Sequence, residues 1–118
     1  MSRDHRKLRV FVLADRLVLD VYAATASFPA SERYGLRAQM RQAAVSAAVN
    51  IVEGSARRSL REYLNFLNIA AGSAAEARYL ASLTARLGML AHDSTEPLDE
   101  GYRELCDGLT KLISSLEP

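Results

Sequence analysis

Residues 39–62 read QMRQAAVSAAVNIVEGSARRSLRE and organise the rest of the chain. Apolar side chains recur in this stretch at steps of three and four residues, which is the period of an α-helix. They are Met40, Ala43, Ala44, Ala47 and Ile51. Because most of them are alanines, a neighbouring helix can approach closely. We therefore expect this segment to be an inner helix of a bundle.

The same stretch contains the end of this helix and the start of the next. Gly54 can adopt the left-handed conformation that closes a helix, and the next apolar period starts at Leu60. Ser59 and Glu62 have the spacing of a capping box, in which the Ser hydroxyl accepts a hydrogen bond from the amide of the third residue and the Glu carboxylate accepts one from the amide of the cap residue. The sequence predicts a helix end at residue 54 and a new helix from about residue 59.

A row of polar side chains, here called the polar line, runs beside the apolar face. Its members are Gln39, Gln42, Ser46, Asn50 and Glu53. Together with Ser73 and Glu76 it has two interpretations. It is either a site that recognises a partner or a buried hydrogen-bonded network that fixes the register of the helices. If Asn50 is buried in such a network, its replacement by Ala should cost about 1–3 kcal/mol of stability.

Apolar periods elsewhere predict three further helices, so that the four helices cover residues 8–28, 32–54, 59–90 and 95–116. Pro29 ends the first helix and Ser31 is the predicted cap of the second. Ser94 or Thr95 is the predicted cap of the fourth, with Pro97 in its first turn.

The connections between these helices are short, so neighbouring helices should be antiparallel. The predicted fold is all-α, an up-and-down antiparallel four-helix bundle that forms one domain over residues 1–118. Gly72 lies inside the third helix, where it is expected to permit close packing against the Ala-rich helix.

The first helix is apolar over two flanks of its circumference, and only one flank can face its own bundle. The other flank carries Val12 and Leu19, with Asp15 between them. We predict that these three residues contribute to an interface between copies of the chain.

Several strings resemble the four-helix-bundle family of 23S rRNA intervening-sequence proteins. They are VYAATASFPASERYGL (21–36), GLRAQMRQAAVSAAVNIVEGSARRS (35–59) and EYLNFLNIAAGSAAEARYL (62–80). The resemblance includes the elements Asn-Ile-x-Glu-Gly and Gly-Ser-x-x-Glu, with Val52 where the family usually has Ala. It implies an up-and-down bundle that assembles into closed rings, often pentamers. It implies no established enzymatic activity, and it gives the motif residues no catalytic role.

The residues offer no support for catalysis or for a bound cofactor or metal. The two histidines, His5 and His92, should lie at opposite ends of an antiparallel bundle and cannot share a site. Facing Glu-x-x-His pairs, which hold metals in helical bundles, do not occur. Ser46 and Ser73 have no histidine nearby to act as a base. Cys106 is the only cysteine and is expected to be a small buried hydrophobe.

Charge is unevenly distributed along the chain, although the net charge is only +1. Residues 1–61 carry eleven Lys or Arg against five acids, and residues 62–118 carry four against nine. An antiparallel bundle should gather one basic group, here called the basic end: Arg3, Arg6, Lys7, Arg9, Arg57, Arg58 and Arg61. It should gather an acidic group at the opposite end: Glu32, Asp93, Glu96, Asp99 and Glu100.

Two functions are compatible with this layout. The first is a non-enzymatic ring whose basic end binds the phosphates of RNA or DNA, in keeping with the RNA-associated gene contexts that the resemblance implies. The alternative is a protein-interaction scaffold whose basic end contacts an acidic protein partner, with no role in nucleic-acid binding.

The composition, with 49% hydrophobic and 25% charged residues, predicts a soluble globular protein. No membrane span or secretory signal is predicted, so a cytoplasmic location is expected.

Overall fold

The apolar periods form four α-helices in the computed structural model, which describes residues 3–118 apart from the side chain of Lys7. They are α1 (Arg9–Thr25), α2 (Leu36–Ser55), α3 (Leu60–Arg86) and α4 (His92–Leu116). Short 3₁₀ turns precede α1 at His5–Lys7 and α2 at Ala30–Glu32. Residues 3–118 contain no β-strand.

Each helix packs against two others, as an up-and-down bundle requires. The pairs in contact are α1 with α2, α2 with α3, α3 with α4, and α4 with α1. The resulting body is elongated, with extents of 45 × 23 × 19 Å. The predicted all-α four-helix bundle is confirmed. Within residues 3–118, no helix combines the length and apolar character that crossing a membrane demands.

The core is built from the predicted stripes. The five apolar residues of the α2 stripe, from Met40 to Ile51, are all buried. The residues of α3 that recur at helical spacing, here called the α3 stripe, are Leu60, Tyr63, Leu67, Ala70, Ala74, Ala77, Ala81, Thr84 and Leu87. The α3 stripe is buried from Tyr63 to Thr84, whereas Leu60 and Leu87 at its two ends are exposed. Small residues on α2 and α3 let these two helices approach closely, and they form the most extensively packed pair.

The start of α2 differs from the prediction. The helix begins at Leu36 rather than residue 32, because Ala30–Glu32 forms a 3₁₀ turn and Gly35 takes the cap position. Ser31 does not cap the helix. Instead, the Glu32 carboxylate accepts a hydrogen bond from the Leu36 amide at 3.0 Å. The first helix ends at Thr25, three residues before the predicted boundary.

The junction of α3 and α4 was also placed incorrectly. Gly88, with φ of 77°, terminates α3 in a Schellman arrangement in which the Met89 amide donates to the Thr84 carbonyl at 2.9 Å. α4 then begins at His92, after Ala91 at the cap position, so neither Ser94 nor Thr95 is its cap. Pro97 lies inside α4, beyond its first turn.

The cap of α3 agrees with the prediction at Ser59 but differs at Glu62. The Ser59 hydroxyl accepts a hydrogen bond from the Glu62 amide at 3.1 Å. The Glu62 carboxylate in turn accepts from the Ser59 hydroxyl at 3.1 Å. The carboxylate therefore contacts the hydroxyl of the cap residue and not its backbone amide, which the capping-box spacing predicts as its partner.

The predicted roles of Gly54 and Gly72 were both wrong. Gly54 lies inside α2, where a Cβ atom would sit 2.9 Å from the Phe66 Cβ and 3.1 Å from a Tyr63 ring carbon, so it is a packing contact. Gly72 is exposed, and a Cβ there would have no neighbour within 4 Å. A second close approach, between α4 and α1, depends on Gly101, whose Cβ would lie 2.6 Å from Leu17.

Candidate nucleic-acid interface

The two basic segments of the chain meet where the N-terminal segment packs on the turn between α2 and α3. The Arg3 amide donates to the Ser55 carbonyl at 2.7 Å, and Arg3 Nη1 donates to the Arg57 carbonyl at 3.2 Å. The Arg3 guanidinium also lies 4.1 Å above the centre of the buried Tyr63 ring. Arg3 thus fixes the N-terminal segment to the turn.

Two other arginines of the basic end are paired with acids. Arg57 donates to the Glu53 carboxylate at 2.9 Å, and its guanidinium lies 5.0 Å from the centre of the Phe66 ring. Arg6 forms an ion pair with Asp4 at 3.0 Å, and this hydrogen bond raises the pKa of Arg6 above its usual value. These contacts reduce the positive charge that Arg6 and Arg57 can offer to a ligand.

Three further arginines of the basic end, Arg9, Arg58 and Arg61, have no partner of this kind among the described residues. All three are exposed, and within residues 3–118 they form no hydrogen bond or ion pair through their side chains. The side chain of Lys7 lies outside the described part of the structure. Arg9 borders a groove between α1 and α4 whose other charged residues are three acids and two cations: Glu100, Glu104, Asp107, Arg103 and Lys111. Arg58 and Arg61 therefore form the least compensated part of the basic end.

The opposite end of the bundle is not uniformly acidic. Asp99 is paired with Arg78 at 2.9 Å, and Glu32 is engaged by the Leu36 amide. Arg33 and Arg37 lie at the same end, near the start of α2, because α2 runs opposite to α1 and α3. Glu96 and Glu100 are exposed on α4, as is Asp93 at its start.

The polar line lies on the outer surface of α2 and enters the α2–α3 contact at one point only. Gln39, Gln42 and Glu53 are exposed, and so is Glu76 on α3. Ser46 and Ser73 are half-buried, and their hydroxyl oxygens are 2.7 Å apart across the two helices. Asn50 Nδ2 donates to the Ser46 carbonyl at 2.8 Å and to the Ser46 hydroxyl at 3.1 Å.

The predicted interface residues of α1 all face outward. Val12 and Leu19 are 57% and 67% exposed, which is high for large apolar side chains. Asp15 is exposed between them and forms no side-chain ion pair or hydrogen bond with the described residues. The flank is therefore an uncovered apolar surface in the single chain.

The side chains that could ligate a metal ion are dispersed among the described residues. Residues 3–118 contain no cluster of three or more His, Cys, Asp or Glu side chains that could hold a metal ion. His5 packs its ring edge-on against Phe11, with the ring centres 4.7 Å apart. Cys106 is half-buried, and burial raises the pKa of its thiol, which keeps it protonated at neutral pH.

Comparison with known proteins identifies the family. A family model described as the 23S rRNA-intervening sequence protein matches residues 6–111. This chain belongs to that family. A crystal structure of a protein with unknown function from the S23 ribosomal protein family of Bacteroides thetaiotaomicron has a similar fold, with a TM-score of 0.79 at 20% sequence identity. The alignment covers 88% of this chain and 97% of that one. No curated protein matches this chain.

The elements on which the resemblance to this 23S rRNA-intervening sequence family was based have structural contacts in this chain. Asn50, in Asn-Ile-x-Glu-Gly, supports the hydroxyl pair that joins α2 to α3, and Gly54 admits Phe66. Ser73, in Gly-Ser-x-x-Glu, provides the other half of that pair. Both elements therefore contribute to the pairing of α2 with α3.

These contacts give an expectation for Asn50 in this family member. Replacement by Ala removes two donated hydrogen bonds but leaves the hydroxyls of Ser46 and Ser73 able to pair with each other. Because Asn50 is only half-buried, we expect a loss of about 0.5–1.5 kcal/mol in the free energy of unfolding, measured in urea. Gln42→Ala, on the exposed part of the polar line, is the control and should change stability by less than about 0.5 kcal/mol. Equal effects of the two substitutions would contradict a role for Asn50 in helix pairing.

Proposed function

We propose that this protein is a non-enzymatic, self-associating member of its family that binds the phosphates of RNA or DNA through its basic end. The observation that carries the proposal is the exposure of Arg58 and Arg61, neither of which is paired with an acid in the described part of the chain. Guanidinium groups bind phosphate oxygens in a planar, bidentate geometry. The family is named after an rRNA intervening sequence. The name links the family to RNA but identifies no residue that contacts it.

The turn that carries these arginines is held in a defined position. Arg3 ties the N-terminal segment to the turn, and Arg57 is fixed by Glu53. Ser59 and Glu62 order the first turn of α3 between Arg58 and Arg61. Because the turn is already ordered, binding of a ligand costs less conformational entropy of its side chains and backbone.

Self-association would multiply this charge. In a ring with one rotation axis, such as a pentamer, every copy points in the same direction, so the basic ends form one continuous face. A nucleic acid would then contact several copies at once, and the combined affinity would exceed that of one copy. We place this activity in the cytoplasm, and binding of this kind requires no cofactor.

Contacts of this kind should show little preference for base sequence. The chain contains no Trp, and the arginines of the basic end would reach phosphates rather than base edges. Binding should therefore weaken steeply as salt displaces the protein from the phosphates.

Fluorescence anisotropy with labelled RNA and DNA oligonucleotides tests this directly. Between about 50 and 200 mM salt we expect the affinity of the wild type to fall at least severalfold. The double variant Arg58→Gln/Arg61→Gln should bind at least about tenfold more weakly at low salt and show a smaller salt slope. Arg57 is left unchanged because its pairing with Glu53 supports the turn.

The matched control is Arg86→Gln/Arg103→Gln, which removes the same charge from exposed sites on α3 and α4. This control should retain most of the wild-type affinity. The proposal is wrong if the wild type does not bind at about 50 mM salt, or if both double variants lose affinity equally. The basic end would then be better explained as the contact surface of a scaffold for an acidic protein partner.

A further inference from the structure

A second positively charged surface lies in a groove of about 620 Å³ along the outer side of α2, beside α1. We call it the α2 groove. Its lining includes Tyr22, Arg33, Arg37, Arg41 and Gln42. Every charged side chain in this lining is an arginine, and no carboxylate is present. The groove is therefore complementary to an anion.

One wall of the α2 groove is held rigidly. Arg41 Nε donates to the Thr25 hydroxyl at 2.8 Å, and Arg41 Nη2 donates to the Tyr22 carbonyl at 3.2 Å. Thr25 is fully buried and donates its own proton to the Val21 carbonyl at 2.7 Å. The Arg41 guanidinium also lies 4.3 Å from the centre of the Tyr22 ring. These contacts leave Tyr22 and Arg41 in one defined arrangement.

The other two arginines have no such partners. Arg33 is exposed and Arg37 is half-buried, and within residues 3–118 neither side chain forms a hydrogen bond or an ion pair. The nearest acid along the chain, Glu32, is engaged by the Leu36 amide. Arg37 and Arg41 are one helical turn apart, about 6 Å along the axis, and so share one side of α2. A half-buried guanidinium with no anion beside it retains its full capacity to bind phosphate.

We propose that the α2 groove binds a nucleotide, with its phosphate against Arg33 and Arg37. The groove also offers what a base requires. Arg41 covers one face of the Tyr22 ring, but Tyr22 is still 42% exposed, so the uncovered part of the ring can contact a base. Gln42 is exposed and presents both a donor and an acceptor. A free nucleoside monophosphate and the 5′-terminal nucleotide of a strand share this chemistry.

This site is separate from the basic end, because Arg33 and Arg37 flank the start of α2 whereas Arg58 and Arg61 follow the last turn of that helix. The nucleotide proposal does not rest on the proposed function. Either can fail while the other holds, and the Arg58→Gln/Arg61→Gln variant separates them. That variant should bind a mononucleotide as tightly as the wild type does.

Isothermal titration calorimetry with uridine monophosphate, uridine and inorganic phosphate tests the site. The monophosphate should bind at least about tenfold more tightly than either uridine or phosphate, because only it engages the arginines and Tyr22 together. Arg37→Gln should weaken monophosphate binding about tenfold or more, since one charge-assisted contact is lost. Arg86→Gln, an exposed arginine of α3, is the matched control and should leave the affinity unchanged.

Short oligonucleotides with a 5′-phosphate or a 5′-hydroxyl distinguish the two sources of the nucleotide. The comparison is made in the Arg58→Gln/Arg61→Gln variant, so that the basic end does not contribute. Preference for the 5′-phosphorylated strand over both the 5′-hydroxyl strand and uridine monophosphate assigns the site to a strand end, and tighter binding of uridine monophosphate than of either strand assigns it to a free nucleotide. Phosphate binding as tightly as uridine monophosphate would overturn the proposal, as would equal losses in Arg37→Gln and Arg86→Gln. A change in oligomer mass on Arg37→Gln would overturn it as well, because the groove would then be a contact between copies.

Discussion

Replacing Gly54 with Ala is expected to lower the free energy of unfolding by about 1–2 kcal/mol. The added methyl group would lie 2.9 Å from the Cβ of Phe66 and 3.4 Å from the carbonyl oxygen of Tyr63. Atoms so close to the backbone of α3 cannot move without moving the helix, and overpacking of this kind costs about 1–3 kcal/mol. The better helix propensity of Ala, worth up to about 1 kcal/mol, offsets part of that cost.

Gly72→Ala is the matched control and should have the opposite sign. Gly72 also lies inside a helix, but a Cβ there meets nothing within 4 Å. Because only the better helix propensity of Ala then acts, we expect the free energy of unfolding to rise by about 0.5–1 kcal/mol. Urea unfolding followed by circular dichroism measures both variants. Protein concentration must be held constant, because self-association would add to the apparent stability. Two shifts of the same sign would contradict the packing role of Gly54.

The sequence already contained the signal that separates these two glycines. Gly54 is seven residues after Ala47, so it falls on the same buried side of α2. Gly72 is two residues from both Ala70 and Ala74, so it falls on the side away from the α3 stripe. The backbone freedom of glycine predicts a helix stop at Gly54, whereas its place in the helical period predicts a packing contact, and the packing contact is what the structure shows.

The sequence predicts which segments are helical more accurately than it predicts the residues at which the helices begin and end. The period of small and apolar residues locates α2 and α3, because core burial enforces that period. The start of α2 depends on Glu32, whose carboxylate reaches the Leu36 amide from inside a 3₁₀ turn. The usual rule for helix caps uses only the types and spacing of residues. It therefore cannot predict a contact that depends on the backbone geometry of a 3₁₀ turn.

The site was predictable in outline only. Topology alone brings the two basic segments together, but the engagement of Arg3 with Tyr63 and of Arg57 with Glu53 depends on side-chain geometry. The α2 groove was missed because charges were sorted by the end of the bundle at which they lie. The four-residue spacing of Arg33, Arg37 and Arg41 was visible in the sequence and indicated one shared side.

Leu19→Glu is expected to break the proposed self-association of the chain. Leu19 is 67% exposed on α1 in the single chain, so Glu should be accommodated there without loss of the fold. If the flank is covered by a second copy, the substitution removes about 1.5–3 kcal/mol of apolar burial and places an unpaired carboxylate in the interface. The dissociation constant should therefore rise about a hundredfold or more. Val12→Glu, on the same flank, should act in the same way.

Leu87→Glu is the matched control, because it makes the same chemical change at a leucine of similar exposure, 54%, on a different helix. Size-exclusion chromatography with light scattering at micromolar concentration compares the three proteins. The wild type should have several times the 13.0 kDa mass of one chain, as should Leu87→Glu, while Leu19→Glu shifts toward the mass of one chain. A wild type of 13.0 kDa would exclude self-association under these conditions. If Leu87→Glu dissociates the oligomer and Leu19→Glu does not, the interface lies at the end of α3 and not on α1. The proposed arrangement of the basic ends on one face would then have to be revised.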